Sequence, residues 1–322
     1  MTLTASGPAV VHAAPVGTAA LNGFLLVDKP SGLTSQQVVS RVKRSLGVRK
    51  AGHAGTLDPM ATGLLVVGVG RGTRLLGYLL GHDKRYRATI RLGQATDSDD
   101  AEGTPVGQPV DATGLADQDI MTAIASYRGQ IEQVPSAVSA IKVAGQRAYA
   151  LARQGQVPDL PSRAVTVSRF DMDHRTNTAP WSDLDVTVDC SSGTYIRALA
   201  RDLGRDLGVG GHLTTLRRLR IGNLDVDDAV PLDEVATDHL HDLAEMASLV
   251  APRTDVDQAA AYDLACGRTI DLPLDGLAAV CCGPELVALC RPDPDQPGRA
   301  RPQVVFTSPA EIGNAPNVER EL

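Results

Sequence analysis

Aromatic residues are scarce in this chain of 322 residues, with three Phe, one Trp and six Tyr. Cysteine is nearly as sparing. Cys190, Cys266, Cys281, Cys282 and Cys290 are an odd number without a CxxC pair, which argues against a disulfide framework or a zinc site and fits a reducing, cytoplasmic setting. No run of eighteen apolar residues occurs, so a membrane-spanning helix is excluded and no membrane partner is expected. The seven histidines show no ligand spacing, and no metal is expected. There is no GxxxxGK[ST], HExxH or GxSxG, so phosphate-loop, zincin and serine-hydrolase chemistry lose their support. The stretch GVGRGTR (68–74) follows an apolar run but carries Thr73 where the dinucleotide fingerprint needs Gly or Ala. No cofactor is expected.

What is present is an ordinary globular composition, 43% hydrophobic and 21% charged, with an uneven charge. The formal net charge is −7, yet between Asn22 and Thr96 twelve Lys or Arg face three Asp or Glu. After Leu224, nineteen acidic residues face six basic ones. A basic front half suggests a polyanionic partner, RNA or DNA, with a merely solvated basic surface as the alternative.

Residues Met1–Leu21 read as a loose tail without the features of a signal peptide. Gly23–Val27 reads as a strand, followed by a helix capped at Thr34 or Ser35, with Val38, Val39, Val42 and Leu46 inward and Gly47 at its end. The stretch AGHAGTLDPMATG (51–63) has no period and reads as a loop, the kind of segment that holds sites. Further strands are expected at Leu64–Val69, Tyr86–Leu92, Ala164–Phe170 and Leu184–Cys190, and helices at Thr73–Leu80, Asp117–Tyr127 and Tyr195–Leu207. TDSDDAEG (96–103) is expected to be an exposed turn. Without strict βαβ alternation the class is α+β, a largely antiparallel mixed sheet flanked by helices. Short strand-like runs after about Leu249 suggest a small β-rich carboxy-terminal domain. The expected division is a tail over 1–21, a main domain over 22–249 and the small domain over 250–322.

Asp58 stands before Pro59 inside that loop, between basic stretches on both sides. It is either a turn carboxylate or a working one, because a lone anion facing a bound polyanion is otherwise unfavourable. His53 is similarly ambiguous. Arg197, Arg201 and Arg205 recur along one helix face, and Arg201 and Arg205 read as a solvated stripe paired with Asp202 and Asp206. Arg197 sits at the strand-to-helix junction of GTYIRAL, where it can reach into a cleft. Tyr86 lies among cations in KRYRATI, either a stacking platform for a base or part of the core. Arg41, Lys43, Arg44, Arg49 and Lys50 are the candidate phosphate contacts.

The segments GFLLVDKPSGLTS, AGHAGTLDPMATGLL, DKRYRATIRLG, VPSAVSAIKVAGQRAYALARQG and SSGTYIRALARDLG, in this order, resemble the TruB family of bacterial tRNA pseudouridine synthases over about Leu21–Leu224. The resemblance implies a pseudouridine synthase fold with a PUA-like carboxy-terminal domain. It also implies cofactor-free isomerisation of the uridine at position 55 in the T loop of tRNA, the base being flipped into a pocket. On that resemblance Asp58 corresponds to the catalytic aspartate, Arg197 to the arginine that pairs with it and Tyr86 to the tyrosine that stacks on the uracil. Leu216 corresponds to an apolar pocket wall, and His53 to the histidine that fills the space the base leaves. Lys29 and Pro30 correspond to a motif behind the catalytic loop, Lys29 being counted with the substrate-binding residues. A monomer is expected. The competing reading is a noncatalytic RNA-binding protein on the same scaffold, against which the carboxylate of Asp58 weighs.

Overall fold

The computed structural model describes residues 21–138 and 160–313, with two short strands in the segment between. Residues 1–20 of the expected tail and most of VPSAVSAIKVAGQRAYALARQG lie outside the described residues. In chain order the elements begin with β1 (Gly23–Lys29), α1 (Ser35–Ser45), β2 (Ala51–Ala54), β3 (Thr62–Val69), α2 (Leu76–Leu79) and β4 (Lys84–Leu92). The hairpin β5 (Ala95–Thr96) and β6 (Pro105–Val106), α3 (Asp117–Ser126), β7 (Gly129–Gln133) and the pair β8 (Lys142–Val143) and β9 (Gln146–Arg147) follow. The long strands β10 (Arg163–Thr178) and β11 (Trp181–Cys190) lead to α4 (Ile196–Asp206), β12 (Gly211–Ile221), β13 (Leu224–Asp225) and β14 (Val230–Pro231). These strands build one sheet in the order β14-β1-β3-β12-β4-β11-β10-β7, with β2 beside β3 and β13 beside β12. Only the β1–β14 and β3–β12 pairings in it are parallel. The chain is α+β with a mixed, largely antiparallel sheet.

Period-two alternation sorts the core. On β1 and β3, Phe24, Leu26, Leu64 and Val66 point to one side, and Leu25, Val27, Leu65, Val67 and Val69 to the other. The second side is covered by α1, whose Val38, Val39, Val42 and Leu46 supply its apolar face, and Thr34 caps that helix with a reciprocal bond to Gln37. On β4, Tyr86, Ala88, Ile90 and Leu92 face α4, which contributes Ile196, Leu199, Ala200 and Leu203. A second, five-stranded sheet comprises β15 (Arg253–Asp255), β16 (Ile270–Asp271), β17 (Ala278–Cys282), β18 (Glu285–Pro292) and β19 (Arg299–Val305). Its Ala279, Leu286 and Leu289, with Phe306 just after β19, join the core that holds Phe24 and Leu64. No described helix is long and apolar enough to cross a membrane.

Three expectations are corrected. The stretch 51–63 is a loop only over Gly55–Ala61, because β2 pairs with β3 and takes its first residues. TDSDDAEG is not an exposed turn: Ser98, Asp99 and Asp100 are buried, held by hydrogen bonds and arginines. The helix expected at Thr73–Leu80 is a 3-10 turn over Gly70–Arg74 followed by the single turn α2. The central strand β12 also escapes sequence reading, its apolar positions being interrupted by Arg217, Arg218 and Arg220.

At the start of β3, Gly63 stands opposite Lys29 of β1 on one side and Arg218 of β12 on the other. Its φ is +96°, and a Cβ there would lie 2.2 Å from the carbonyl oxygen of Arg218. We expect Gly63→Ala to lower stability by about 3 kcal/mol, strain and clash together. Gly107→Ala, at φ +74° with open space around it, should lose only about 1 kcal/mol. Urea denaturation midpoints compare the two; equal losses would mean that the β1–β3–β12 seam is not tight.

Candidate active site

The loop Gly55–Ala61 has no ladder of its own, so its backbone polar groups must find partners elsewhere. Ser35, at the start of α1, serves both sides of Leu57, donating to its carbonyl at 3.0 Å and accepting from its N–H at 2.9 Å. The ammonium of Lys29 donates to the carbonyls of Pro30, Pro59 and Ala61 at 2.9, 3.1 and 2.5 Å. The N–H of Gly32 reaches Pro59 at 2.8 Å, and Arg218 donates to Gly55 at 2.9 Å. Asp58 is thus presented by a segment fixed at both ends and in the middle.

Arg197 meets it from the first turn of α4. Nε lies 3.0 Å from Oδ2 of Asp58 and Nη2 3.1 Å from Oδ1, a two-pronged contact that fixes the carboxylate plane. The same guanidinium donates to the carbonyls of Ser98 and Val138, each at 2.8 Å, and approaches Asp100 at 3.4 Å. Gln133 sets the helix start, accepting from the Tyr195 N–H at 2.8 Å and donating to its carbonyl at 3.1 Å. Burial raises the Asp58 carboxyl above its ordinary value; Arg197 opposes this and Asp100 adds to it.

Around this pair lies a pocket of about 260 Å³, lined among others by Tyr86, Leu216, Lys84, Thr194, Gly193 and Arg218. That is below the size of drug-sized ligand cavities and suited to one nucleoside rather than to a strand. Tyr86 is buried, which pushes its hydroxyl upward against the opposing Arg218 charge. A larger groove of about 960 Å³ runs over the opposite face of β4, and Leu216 borders both. Of its arginines, Arg85 pairs with Asp189, Arg217 with Asp28 and Arg169 with Asp171, so most of its charge is neutralised within the fold. The small pocket has the more reactive composition.

The structure therefore brings Asp58, Arg197, Tyr86 and Leu216 together. His53 sits two residues before the loop on β2, outside the pocket lining, with Nδ1 lacking a partner among the described residues and its charged form disfavoured by burial and then by Arg218. Lys29, counted with the substrate contacts, is corrected: it has no exposed surface and supports the loop from behind. Arg41, Arg44, Arg49 and Lys50 are exposed and Lys43 is half-buried, and none has an acidic partner among the described residues. Arg205 pairs with Asp202 and Asp206, while Arg201 adds Asp99 to Asp202. Ser35, Lys84, Asp100, Gln133 and Arg218 were not singled out by sequence. The basic runs KRYRATI and LRRLRI contain Lys84 and Arg218, and Ser35 was legible only as a possible helix cap; Asp100 and Gln133 gave no signal.

Two family models match. Residues 43–196 match the TruB family pseudouridylate synthase amino-terminal domain, and residues 197–255 match the tRNA pseudouridylate synthase B carboxy-terminal domain. A tRNA pseudouridine synthase B from Mycobacterium sp. (strain KMS) is 51% identical over 294 residues, 90% of this chain and 97% of that protein. Another, from Cutibacterium acnes (strain DSM 16379 / KPA171202), is 51% identical over 285 residues, covering 87% and 96%. Among solved structures, a Cbf5-Nop10-Gar1 complex has a chain of similar fold, with TM-score 0.67 and 23% identity over 90% of this chain and 86% of that one.

Burial lowers the Lys29 ammonium to about 8, with Asp58 opposing the shift. Between that value and the ordinary lysine value the unfolded chain binds more protons than the folded one, so the folded state gains as pH rises through this window. The stability of the parent relative to Lys29→Met should accordingly increase from about pH 8 to about pH 10, read by urea denaturation at each pH. A flat difference across this window would place the ammonium in water.

Proposed function

The chain belongs to the TruB family of tRNA pseudouridine synthases, and from that premise we propose that it isomerises the uridine at position 55 in the T loop of tRNA, with Asp58 as the catalytic carboxylate. The observation that carries this reading is the two-pronged pair of half-buried Asp58 with buried Arg197, beside Tyr86 in a pocket the size of one nucleoside.

A uracil inside a stacked helix or loop presents neither its sugar carbon nor its ring carbon to a protein side chain, so the nucleotide is turned out of the stack. Tyr86 then receives the base on its ring, and Leu216 closes the apolar side. Asp58 acts on the sugar, either attacking C1′ as a nucleophile or taking a proton from C2′, and the C1′–N1 bond breaks. The base turns and its C5 bonds to C1′ while Asp58 either leaves C1′ or returns its proton to C2′; the C5 proton then leaves and N1 is protonated, which completes an isomerisation without cofactor. Tyr86 is placed to help remove the C5 proton. Arg197 orients Asp58 and opposes the rise in its proton affinity that burial causes.

His53 precedes by two residues Gly55 of the pocket lining and, on the family resemblance, is assigned the space that the flipped base vacates. Arg41, Lys43, Arg44, Arg49 and Lys50, on or just after α1 and without acidic partners among the described residues, are assigned to phosphates of the RNA. Activity as a monomer is part of this reading.

The direct test is incubation with unmodified tRNA and mapping of pseudouridine by carbodiimide treatment and primer extension. Asp58→Asn keeps the shape but removes the charge, so it should bind tRNA as the parent does and form no product; a tenth of the parental rate retained would overturn the assignment. Arg197→Met should move the acidic limb of the single-turnover rate to higher pH. The sign follows from chemistry: the working form is the carboxylate, and loss of the cation raises its proton affinity further. Rates from about pH 5 to about pH 9 with saturating enzyme check it, and an unmoved limb would mean that Arg197 does not set the charge of Asp58.

A further inference from the structure

The pocket contains two cations that the reaction scheme has not used. Arg218 is 1% exposed, donates from Nε to the carbonyl of Leu64 at 2.8 Å and from Nη2 to that of Gly55 at 2.9 Å, and has no carboxylate within ion-pairing distance among the described residues. Lys84 is 7% exposed, donates to the carbonyls of His82 at 2.7 Å and Leu80 at 3.2 Å, and likewise has no acidic partner there. Both line the pocket. They flank Tyr86, which lies opposite Arg218 in the β12–β4 register and two residues from Lys84 on the same face of β4. Carbonyls can be satisfied by neutral donors, whereas burying a cation without a counter-ion is among the costliest arrangements in a fold. Such a cost is sustained where negative charge arrives during function.

The scheme says where it arrives. When the C1′–N1 bond breaks, its electron pair leaves with the base, so the negative charge carried by Asp58 passes to a uracil anion while the total charge in the pocket is unchanged. In the resting pocket the Asp58 side is already balanced by Arg197, whereas the Arg218 and Lys84 side is not. We propose that Arg218 and Lys84 form the positive wall that stabilises the departing uracil anion, an inference that rests on the pseudouridine synthase reading given above. The lowered proton affinity of Lys84, caused by burial and then by Arg218, agrees with a cation awaiting an anion.

Fluorine at C5 withdraws electrons and makes the base a better leaving anion, so it substitutes in part for the wall. Single-turnover consumption of tRNA carrying uridine or 5-fluorouridine at the target position is compared for the parent, Arg218→Met, Arg218→Lys and Lys84→Met. Arg218→Met should slow the uridine substrate by about 100-fold, the scale of losing one preorganised donor, and by at most about 10-fold with 5-fluorouridine. Arg218→Lys should fall between, and tRNA binding should change by less than about 3-fold throughout. If Arg218→Met does not fold because Gly55 and Leu64 lose their donor, Lys84→Met carries the same comparison. Equal deficits on both substrates in the variants that fold overturn the proposal. A parent that forms no pseudouridine in tRNA overturns instead the reading beneath it, and the two failures are told apart by the parent's own product.

Discussion

The seven-residue loop that carries Asp58 is held by its carbonyl oxygens. A segment without a ladder must have every buried backbone acceptor met, and here charged donors from below do much of that work: Lys29 takes Pro59 and Ala61, Arg218 takes Gly55, and Ser35 closes the middle at Leu57. Lys29 and Arg218 sit on β1 and β12, the strands either side of Gly63. The position of the carboxylate is thereby tied to sheet register. A shift of one residue in either strand would turn its cation to the opposite face and release the loop.

Charge is arranged in two arms around the pocket. One arm is a chain of buried and half-buried carboxylates and arginines, in which Asp58 and Asp100 both meet Arg197 and Asp99 meets Arg201. It orders the carboxylate and offsets the cost of its burial, which still leaves Asp58 harder to ionise than a carboxylate in water. The other arm, Arg218 and Lys84, is cationic without a counter-charge among the described residues. The isomerisation proposed above, in which one negative charge moves from side chain to base and back, is suited to such asymmetry, since its resting and reacting states place the same charge at different walls.

The acidic stretch after Leu224 and the basic stretch before Thr96 also have separate uses. The exposed cations that follow the first strand are free of acidic partners among the described residues and face outward from α1, where a polyanion can neutralise them. The second sheet packs into the same core as the first through Leu286 and Leu289, with Phe306 just beyond β19, and the helical turn that follows it is joined to the 3-10 turn after β3 by the Arg71–Glu311 pair, 2.8 Å apart. Its acidity thus lies on a unit braced against the catalytic one.

Local chemistry was legible along the chain. The cap at Thr34, the α1 face, the alternation of β4 and the glycine-rich loop follow from side-chain period and backbone freedom, which neighbours in sequence specify. Asp58, Tyr86 and Arg197 could be picked out because each is chemically out of place where it stands, and the resemblance to a family gave them roles. Other features needed the packed molecule. Asp99 and Asp100 look solvated in TDSDDAEG, yet they are buried, because the arginines that compensate them arrive from α4 about a hundred residues later. β12 reads poorly because Arg218 occupies an inward position that sequence patterning reserves for apolar side chains. Lys29 looks like a surface cation beside a turn but points inward to carbonyls brought over by a thirty-residue excursion of the chain. Periodicity reports the preference of a residue for water or core; whether a buried charge is tolerated is decided by distant groups that only folding places beside it.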